Sequence, residues 1–386
     1  MISWRFSLAK LHPLSWHKLQ LSSSIKWIGW NFHLNGLPRA FLPPDKQEVL
    51  LAALAPLCRP GTWLRRTDLR RLIGRLCWFT AGARWLKPFM CSWFRCLMKP
   101  QVVLQSLDAG QREELHRCLD TALVAREQCS LSDVQRGWIA MEVGAQKVSS
   151  ADALLCAVSK NGRAWCKLGD PDSQPTKDEA QLVKFFRAVI AAEVPVHLVS
   201  SWKPGVVAAA DAFADGTRAG LGGWWLPSNL PLCPENICHF SIQLQPSDLP
   251  AWFLCEGKED LQKYICALEA LAQLVLLACR LQSDEQVEAG WIAVRQLCDN
   301  MGVVGACAKA LSMESPLTEV LQSFGLFAAR RRVQLHISHI AGTRNEWADW
   351  LSRGAGSCPT FWSKLEPSQR FRPEWEQLLS LCHSIS

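Results

Sequence analysis

Four carboxylates in the second half of this sequence stand where a charge is expensive. Asp211 lies at the end of an apolar strand-like run that begins at Gly205 and carries no other charge. Glu269 is the sole charge between Ile265 and Cys279, on the helical face that Ile265 shares. Asp299 is the last residue but one of the strand-like "WIAVRQLCDN", and Asp349 stands between Trp347 and Trp350 in "NEWADW". A buried carboxylate must be neutralised, paired or bound to a cation. These segments hold few basic residues to pair with all four. Clustered carboxylates raise each other's pKa unless a divalent cation stabilises the charged forms. Donors that are all oxygen favour Mg²⁺ or Mn²⁺. Singly, each of these acids reads as a strand-end or cap residue; as an ordered set they read as ligands for a divalent cation.

The elements that must position them follow from periodicity. From Gly205 the pattern is β-β-β-α-β-α-β-α. Strands are predicted in "GVVAAADAF", "LGGWWL" and "ICHFSIQL", a helix over Asp260 to Leu281, and a fourth strand in "WIAVRQLCDN". Helices near 302–312 and 317–331, a strand over 333–340 and a short helix from Glu346 complete it. Strands that first adjoin and then alternate with helices imply a mixed sheet with helices packed on it. Asn345 is expected to cap the last helix and so aim Asp349. Asp215, in the Gly-containing turn after the first strand, is a poorer first ligand than Asp211. Trp224 and Trp225 are candidates for stacking on sugar or base, with core filling the plainer role.

Upstream, "WIGWNFHLNG" predicts a strand entering an Asn-Gly turn. Pro43 and Pro44 open a helix with periodicity from Val49 to Leu57. In "TDLRRLIGRLCWF", Leu69, Leu72, Ile73 and Leu76 share one helical face, while Arg66, Arg70, Arg71 and Arg75 take others. Helices are also predicted over Leu86–Met98, Gln111–Arg126 and Lys177–Ala192. Short strands are predicted over Trp138–Val143 and Leu154–Val158, and a loop in "GDPDSQPTKDE".

With 386 residues, 49% of them hydrophobic, the chain is expected to be globular and to hold two or three domains. Its charge is asymmetric. Residues 1–100 hold 16 Lys/Arg against 3 Asp/Glu, and the remainder 26 against 32. A basic module joined to a mildly acidic one suggests that the first meets a polyanion. Residues 1–44, with five basic and no acidic side chains, have the composition of a transit peptide but already carry a fold motif. The 17 cysteines include no pair at CxxC spacing, so they read as reduced, mostly buried and not zinc-binding, as in an intracellular protein of nucleus or cytoplasm. No uninterrupted apolar run reaches the ~18 residues of a membrane span, and no membrane partner is expected.

"ADAFADGTRAGLGGWW", "LEALAQLVLLA", "CDNMGVVGACAK" and "HISHIAGTRNEWADWLSRG" together resemble the RNase H domain of retroelement reverse transcriptases, gypsy-like and DIRS-like kinds above all. The segment ending N-x-x-A-D-x-L-S-R is the most specific. The resemblance covers roughly residues 205–355. It implies that Asp211, Glu269, Asp299 and Asp349 are catalytic and bind two Mg²⁺ or Mn²⁺ ions. His339 has the spacing from Asn345 of a catalytic His in cellular RNase H enzymes, although a strand-end role is the expectation. "IKWIGWNF", "LPPDKQEVL" and "LRRLIGRLCWFTAGARWLKPF" resemble the closing palm strand and helical thumb of the same polymerases. The palm's Tyr-x-Asp-Asp does not occur, and the single tyrosine, Tyr264, falls in a helix.

The resemblance implies an α/β fold: an RNase H-like mixed sheet with flanking helices, preceded by a mainly helical, basic, thumb-like region. The expected organisation is a thumb-like region over 1–130 with a residual palm strand near 25–34, then a connection over 131–200. An RNase H-like domain over 201–355 and a tail over 356–386 follow. The expected function is hydrolysis of the RNA strand of RNA–DNA hybrids by the C-terminal part of a reverse transcriptase, with a separate polymerase subunit as a conceivable partner. Arg66, Arg70, Arg71 and Arg75 would bind nucleic acid. The alternative is a catalytically inactive RNase H-like remnant that binds nucleic acid. An integrase of the same fold would carry its Glu last, whereas here it is second.

Overall fold

The computed structural model describes residues 23–27, 29–35, 39–58, 66–98, 101–103, 154–158, 164–168, 177–194, 196–197, 201–202, 207–227, 230–254, 260–283 and 291–381, with scattered positions between 108 and 132. The strand predicted over Trp138–Val143, most of the helix predicted over Gln111–Arg126 and most of the "GDPDSQPTKDE" loop lie outside the described residues.

The N-terminal part is built on β1 (Ser24–Trp27), β2 (Trp30–His33) and β3 (Arg39–Phe41), with α1 (Pro44–Leu54), α2 (Arg66–Gly82) and α3 (Met90–Met98). "WIGWNFHLNG" departs from the predicted single strand. Trp27 pairs with Trp30 across a tight turn in which Gly29 takes φ +78°, so the chain reverses there. That φ suits a residue without a Cβ. The predicted α2 face is the buried one: Leu69, Leu72, Ile73 and Leu76 join Trp30, Leu54, Leu86 and Trp93 in one core. Strands β4 (Gln101–Val103), β5 (Leu154–Val158) and β6 (Ala164–Leu168) form a small antiparallel sheet. Helix α4 (Lys177–Ala191) returns to the first core through Val183 and Phe186, and β7 (Val196–His197) pairs with β3.

The second core surrounds a six-stranded mixed sheet. Its strands are β8 (Ser201–Trp202), β9 (Ala208–Asp215), β10 (Arg218–Trp225), β11 (Cys238–Leu244), β12 (Ile292–Cys298) and β13 (Val333–His339). The spatial order is β11-β10-β9-β12-β13, with β8 also on β12. β9, β10 and β11 are antiparallel, while β12 runs parallel to β9, β13 and β8. Helices α5 (Ile265–Ser283), α6 (Met301–Lys309), α7 (Leu317–Arg331) and α8 (Glu346–Arg353) follow, then α9 (Pro359–Trp362) and α10 (Trp375–Ser380). The chain is thus an α/β protein with the mixed sheet and flanking helices that the sequence predicts.

Alternation on β9 separates two layers. Ala208, Ala210, Ala212 and Ala214 pack with the α5 layer, and Ala209 packs with α8 and α9. Helix α5 is apolar nearly all round because it is buried nearly all round. The segment Leu261–Gln282 is long and apolar enough to cross a membrane, yet 83% of its most apolar window lies inside the protein. Trp375, Leu378 and Leu379 of α10 close the same core.

The two cores are clamped together. Arg84 donates to the Ala308 carbonyl, and Arg95 Nη2 donates to the Met313 carbonyl at 2.9 Å and to Thr318 Oγ1 at 3.3 Å. The Trp85 carbonyl lies where a Cβ on Gly325 of α7 would stand, so only glycine permits this approach.

Candidate metal centre

β9 ends later than the sequence suggests, at Asp215 rather than at Phe213. Asp211 is mid-strand, not at its end, because the strand continues to Asp215 before turning at Gly216, φ +51°. Asp211 is 7% exposed and pairs across the sheet with Gly222. The parallel register of Leu297 with Ala209 brings Asp299 level with Asp211, just past the end of β12. Asp215 is exposed and held by Arg218 at 3.0 Å, apart from this cluster.

Glu269 projects from α5 and is likewise 7% exposed. On the same face one turn later, Gln273 donates to the Ala210 carbonyl at 3.1 Å and the Leu297 carbonyl at 2.9 Å, tying β9 and β12 to the helix. Asn300 holds Glu269 from the other side. Its Nδ2 donates to Glu269 Oε1 at 3.1 Å, while its Oδ1 accepts the Gly302 and Val303 amides and caps α6. The sequence reading missed Asn300; its place between an acid and a helix start was the available signal.

Asp349 arrives because α8 lies directly on β10. Cβ atoms at Gly220 or Gly222 would collide with the backbone of Ser352, so alternate glycines in "AGLGGW" form the bed for the helix. Neighbouring β11 fixes the end of α8: Ser241 donates to the Leu351 carbonyl at 2.7 Å and Gln243 to the Ser352 carbonyl at 2.9 Å. Arg353 Nε pairs with Asp349 Oδ1 at 2.7 Å, and its guanidinium lies 4.7 Å from the Phe213 ring centre.

Asn345 does not cap by its side chain. It occupies the cap position, but its amide is 1% exposed and makes no hydrogen bond among the described residues. The backbone supplies the bonds instead: its carbonyl accepts from Ala348 and Asp349. Neither Trp224 nor Trp225 is open for stacking on a substrate. They are 5% and 4% exposed on opposite faces, against Trp347 and Phe371. His339 is exposed at the end of β13, beside Cys298 in the register.

Of the four carboxylates, only Glu269 and Asp299 belong to a group of three ligand atoms within 4.8 Å of one another among the described residues. Asp211 is coupled to them electrostatically, and to Asp349 only weakly. Burial, then Asp299 and Glu269, and in smaller part Asp349, push Asp211 up to about 8. Burial pushes Glu269 up to about 7 against the hydrogen bond from Asn300, with Asp299 adding to the rise. Such crowding favours a cation, and the oxygen donors suit a hard divalent ion. One donor differs from expectation: the thiol of Cys298 falls within 4.8 Å of the ligand atoms of Glu269 and Asp299.

Of the basic residues singled out on α2, Arg70, Arg71 and Arg75 are exposed, with Arg71 3.1 Å from Asp68. The Arg66 side chain lies outside the described residues. Lys46, Arg71, Gly74, Arg75 and Trp78 line a groove of about 580 Å³ between α1 and α2.

No protein-family model matches the sequence, and no curated protein sequence matches it. Solved structures do. RNase H1 from the halophilic archaeon Halobacterium salinarum NRC-1 is similar over 38% of this chain and 94% of its own, at 14% identity and a TM-score of 0.27. LC11-RNase H1 in complex with RNA/DNA hybrid is similar over 39% and 94%, at 16% identity and 0.28. The foamy viral protease-reverse transcriptase in complex with RNA/DNA hybrid is similar over 87% of this chain and 52% of its own, at 12% identity and 0.24.

Proposed function

We propose that this chain is a retroelement-derived RNase H-like nuclease, of gypsy-like or DIRS-like kind, that hydrolyses the RNA strand of RNA–DNA hybrids. The observation that carries the reading is convergence. Asp211 is buried in mid-sheet, level with Asp299 at the end of β12. Glu269 brings its carboxylate to Asp299 from one helix, and Asp349 stands on a second helix and adds least to the rise at Asp211. Two Mg²⁺ or Mn²⁺ ions bound there would activate the attacking water and stabilise the leaving 3′ oxygen. Asp211 would hold both ions, Glu269 and Asp299 one, and Asp349 the other.

The chain's own residues do the rest. Asn300 fixes the Glu269 carboxylate, and Arg353 holds Asp349 by the ion pair described above. Choice of substrate rests on the 2′-hydroxyls and groove shape of the hybrid rather than on base sequence. Arg66, Arg70, Arg71 and Arg75 would grip phosphates upstream. On this reading residues 201–355 are the nuclease domain and 1–130 the thumb-like region.

The test is cleavage of an end-labelled RNA–DNA hybrid in Mg²⁺, beside chelator, single-stranded RNA and duplex DNA. Metal-dependent cutting of the RNA strand in the hybrid alone is the expected result. A second reading, binding without cleavage, draws on Arg353, which already pairs with Asp349. It predicts a retained hybrid and no product.

A further inference from the structure

The ligand set expected for this site is oxygen alone, yet a thiol stands inside it. Cys298 is the last residue of β12 and is fully buried. Its sulfur turns toward the carboxylates: Sγ lies 3.7 Å from Glu269 Oε2. The ligand atoms of Glu269, Cys298 and Asp299 all fall within 4.8 Å of one another. Donors at ~2.0–2.3 Å around one tetrahedral ion stand roughly 3.5 Å apart, so small side-chain rotations would close these three on a single cation. The Asn300 amide is already committed to Glu269 Oε1 and to Cys266 Sγ, at 3.1 and 3.5 Å. That leaves the face of Glu269 nearer Cys298 to a ligand.

We infer, resting on the metal chemistry proposed above, that Glu269, Cys298 and Asp299 form a site for a thiophilic divalent cation, Zn²⁺ or Cd²⁺, and that its occupation stops Mg²⁺-dependent hydrolysis. Sulfur selects Zn²⁺ and softer ions, whereas Mg²⁺ demands octahedral oxygen. Binding forms a metal–sulfur bond and releases the thiol proton to the buffer; no oxidation state changes. Water completes the fourth position.

The intact chain is titrated with Cd²⁺ in the presence of Mg²⁺, reading the sulfur-to-cadmium charge-transfer absorption. Zn²⁺ affinity is measured by competition with a chromophoric chelator. Cys298→Ser should remove the tightest-binding absorption and weaken Zn²⁺ binding about tenfold or more, the scale set by loss of even an outer partner. Cys358→Ser, a thiol outside the centre, should change neither. Glu269→Gln keeps the sulfur but should also weaken Zn²⁺ binding, so the test survives a Cys298→Ser chain that fails to fold. Equal absorption and equal Zn²⁺ affinity in wild type and Cys298→Ser would overturn the site. Hybrid cleavage that continues with the site filled would overturn its inhibitory role. Cadmium bound through Cys298 by a chain that never cleaves hybrid in Mg²⁺ supports the site and refutes only the nuclease reading.

Discussion

Asp211 is the residue on which the proposed chemistry turns, and its environment sets two expectations. Asp211→Asn removes the charge that two ions would share, so Mg²⁺-dependent cleavage should fall about a hundredfold or more, since each ion stabilises several kcal/mol of developing charge. The same change replaces a group that burial, Asp299 and Glu269 make costly to ionise, so it relieves repulsion as pH rises toward 8. The melting temperature in chelator should therefore hold or rise, and a mutant with full activity refutes the assignment. The second expectation concerns pH. Burial and neighbouring acids hold the Asp211 and Glu269 carboxyls protonated up to about 8 and 7, from ordinary values of 3.8 and 4.5. Across that window the metal-free native state carries more protons than the unfolded chain. Stability from these two groups is therefore greatest near pH 4 and falls as pH rises toward 8. Melting curves in chelator at pH 5 and pH 8 measure the slope. Asp211→Asn should flatten it, and Mg²⁺ should oppose it.

At the scale of elements, the centre depends on how two helices are seated. Helix α8 rests on Gly220 and Gly222, so Gly222→Ala forces it off the sheet. Overpacking of this kind costs roughly 1–3 kcal/mol, and Asp349 moves with the helix. Melting temperature and cleavage should drop together, whereas Gly305→Ala on α6, where a Cβ meets nothing within 4 Å, should spare the packing. The two asparagines at helix starts should also separate. Asn300 bonds two amides of α6 as well as Glu269, so Asn300→Ala should cost about 0.5–2 kcal/mol through the lost cap and loosen Glu269. Asn345 makes no cap bond with its side chain, so Asn345→Ala should lose less by that route. Urea unfolding of the pair decides. A larger loss at position 345 would overturn this ranking of the two side chains.

The whole molecule joins an exposed arginine-bearing helix to the carboxylate centre through an interface that leaves little freedom. The Trp85 carbonyl against Gly325, with Arg84 and Arg95 on carbonyls of the α6–α7 region, fixes the two cores relative to each other. Arg70 and Arg75 remain on the solvent side of α2. Arg70→Ala with Arg75→Ala should weaken hybrid binding and reduce its log–log salt slope by about one per lost phosphate contact. Any turnover at saturating hybrid should change little. Binding measured across a salt series checks this, and an unaltered slope would assign α2 to another partner.

Periodicity and the placing of charge were legible in the sequence alone. The burial of Leu69, Leu72, Ile73 and Leu76, the mixed sheet, and the order of four isolated acids all follow from local patterns that each residue's own segment carries. Strand ends were less legible. Asp211 looked terminal because Asp215 and Gly216 already resemble a turn, but pairing with β10 extends β9 past both Asp211 and Phe213. Asn345 looked like a cap because side-chain capping is a local preference; burial of its side chain overrode it. Only the tertiary structure brought Cys298 and Asn300 against Glu269, which is 29 and 31 residues away. Such contacts arise where a helix from one segment meets a strand end from another. Their energy comes from solvent exclusion and shared hydrogen bonds across the chain, which no short stretch of sequence encodes.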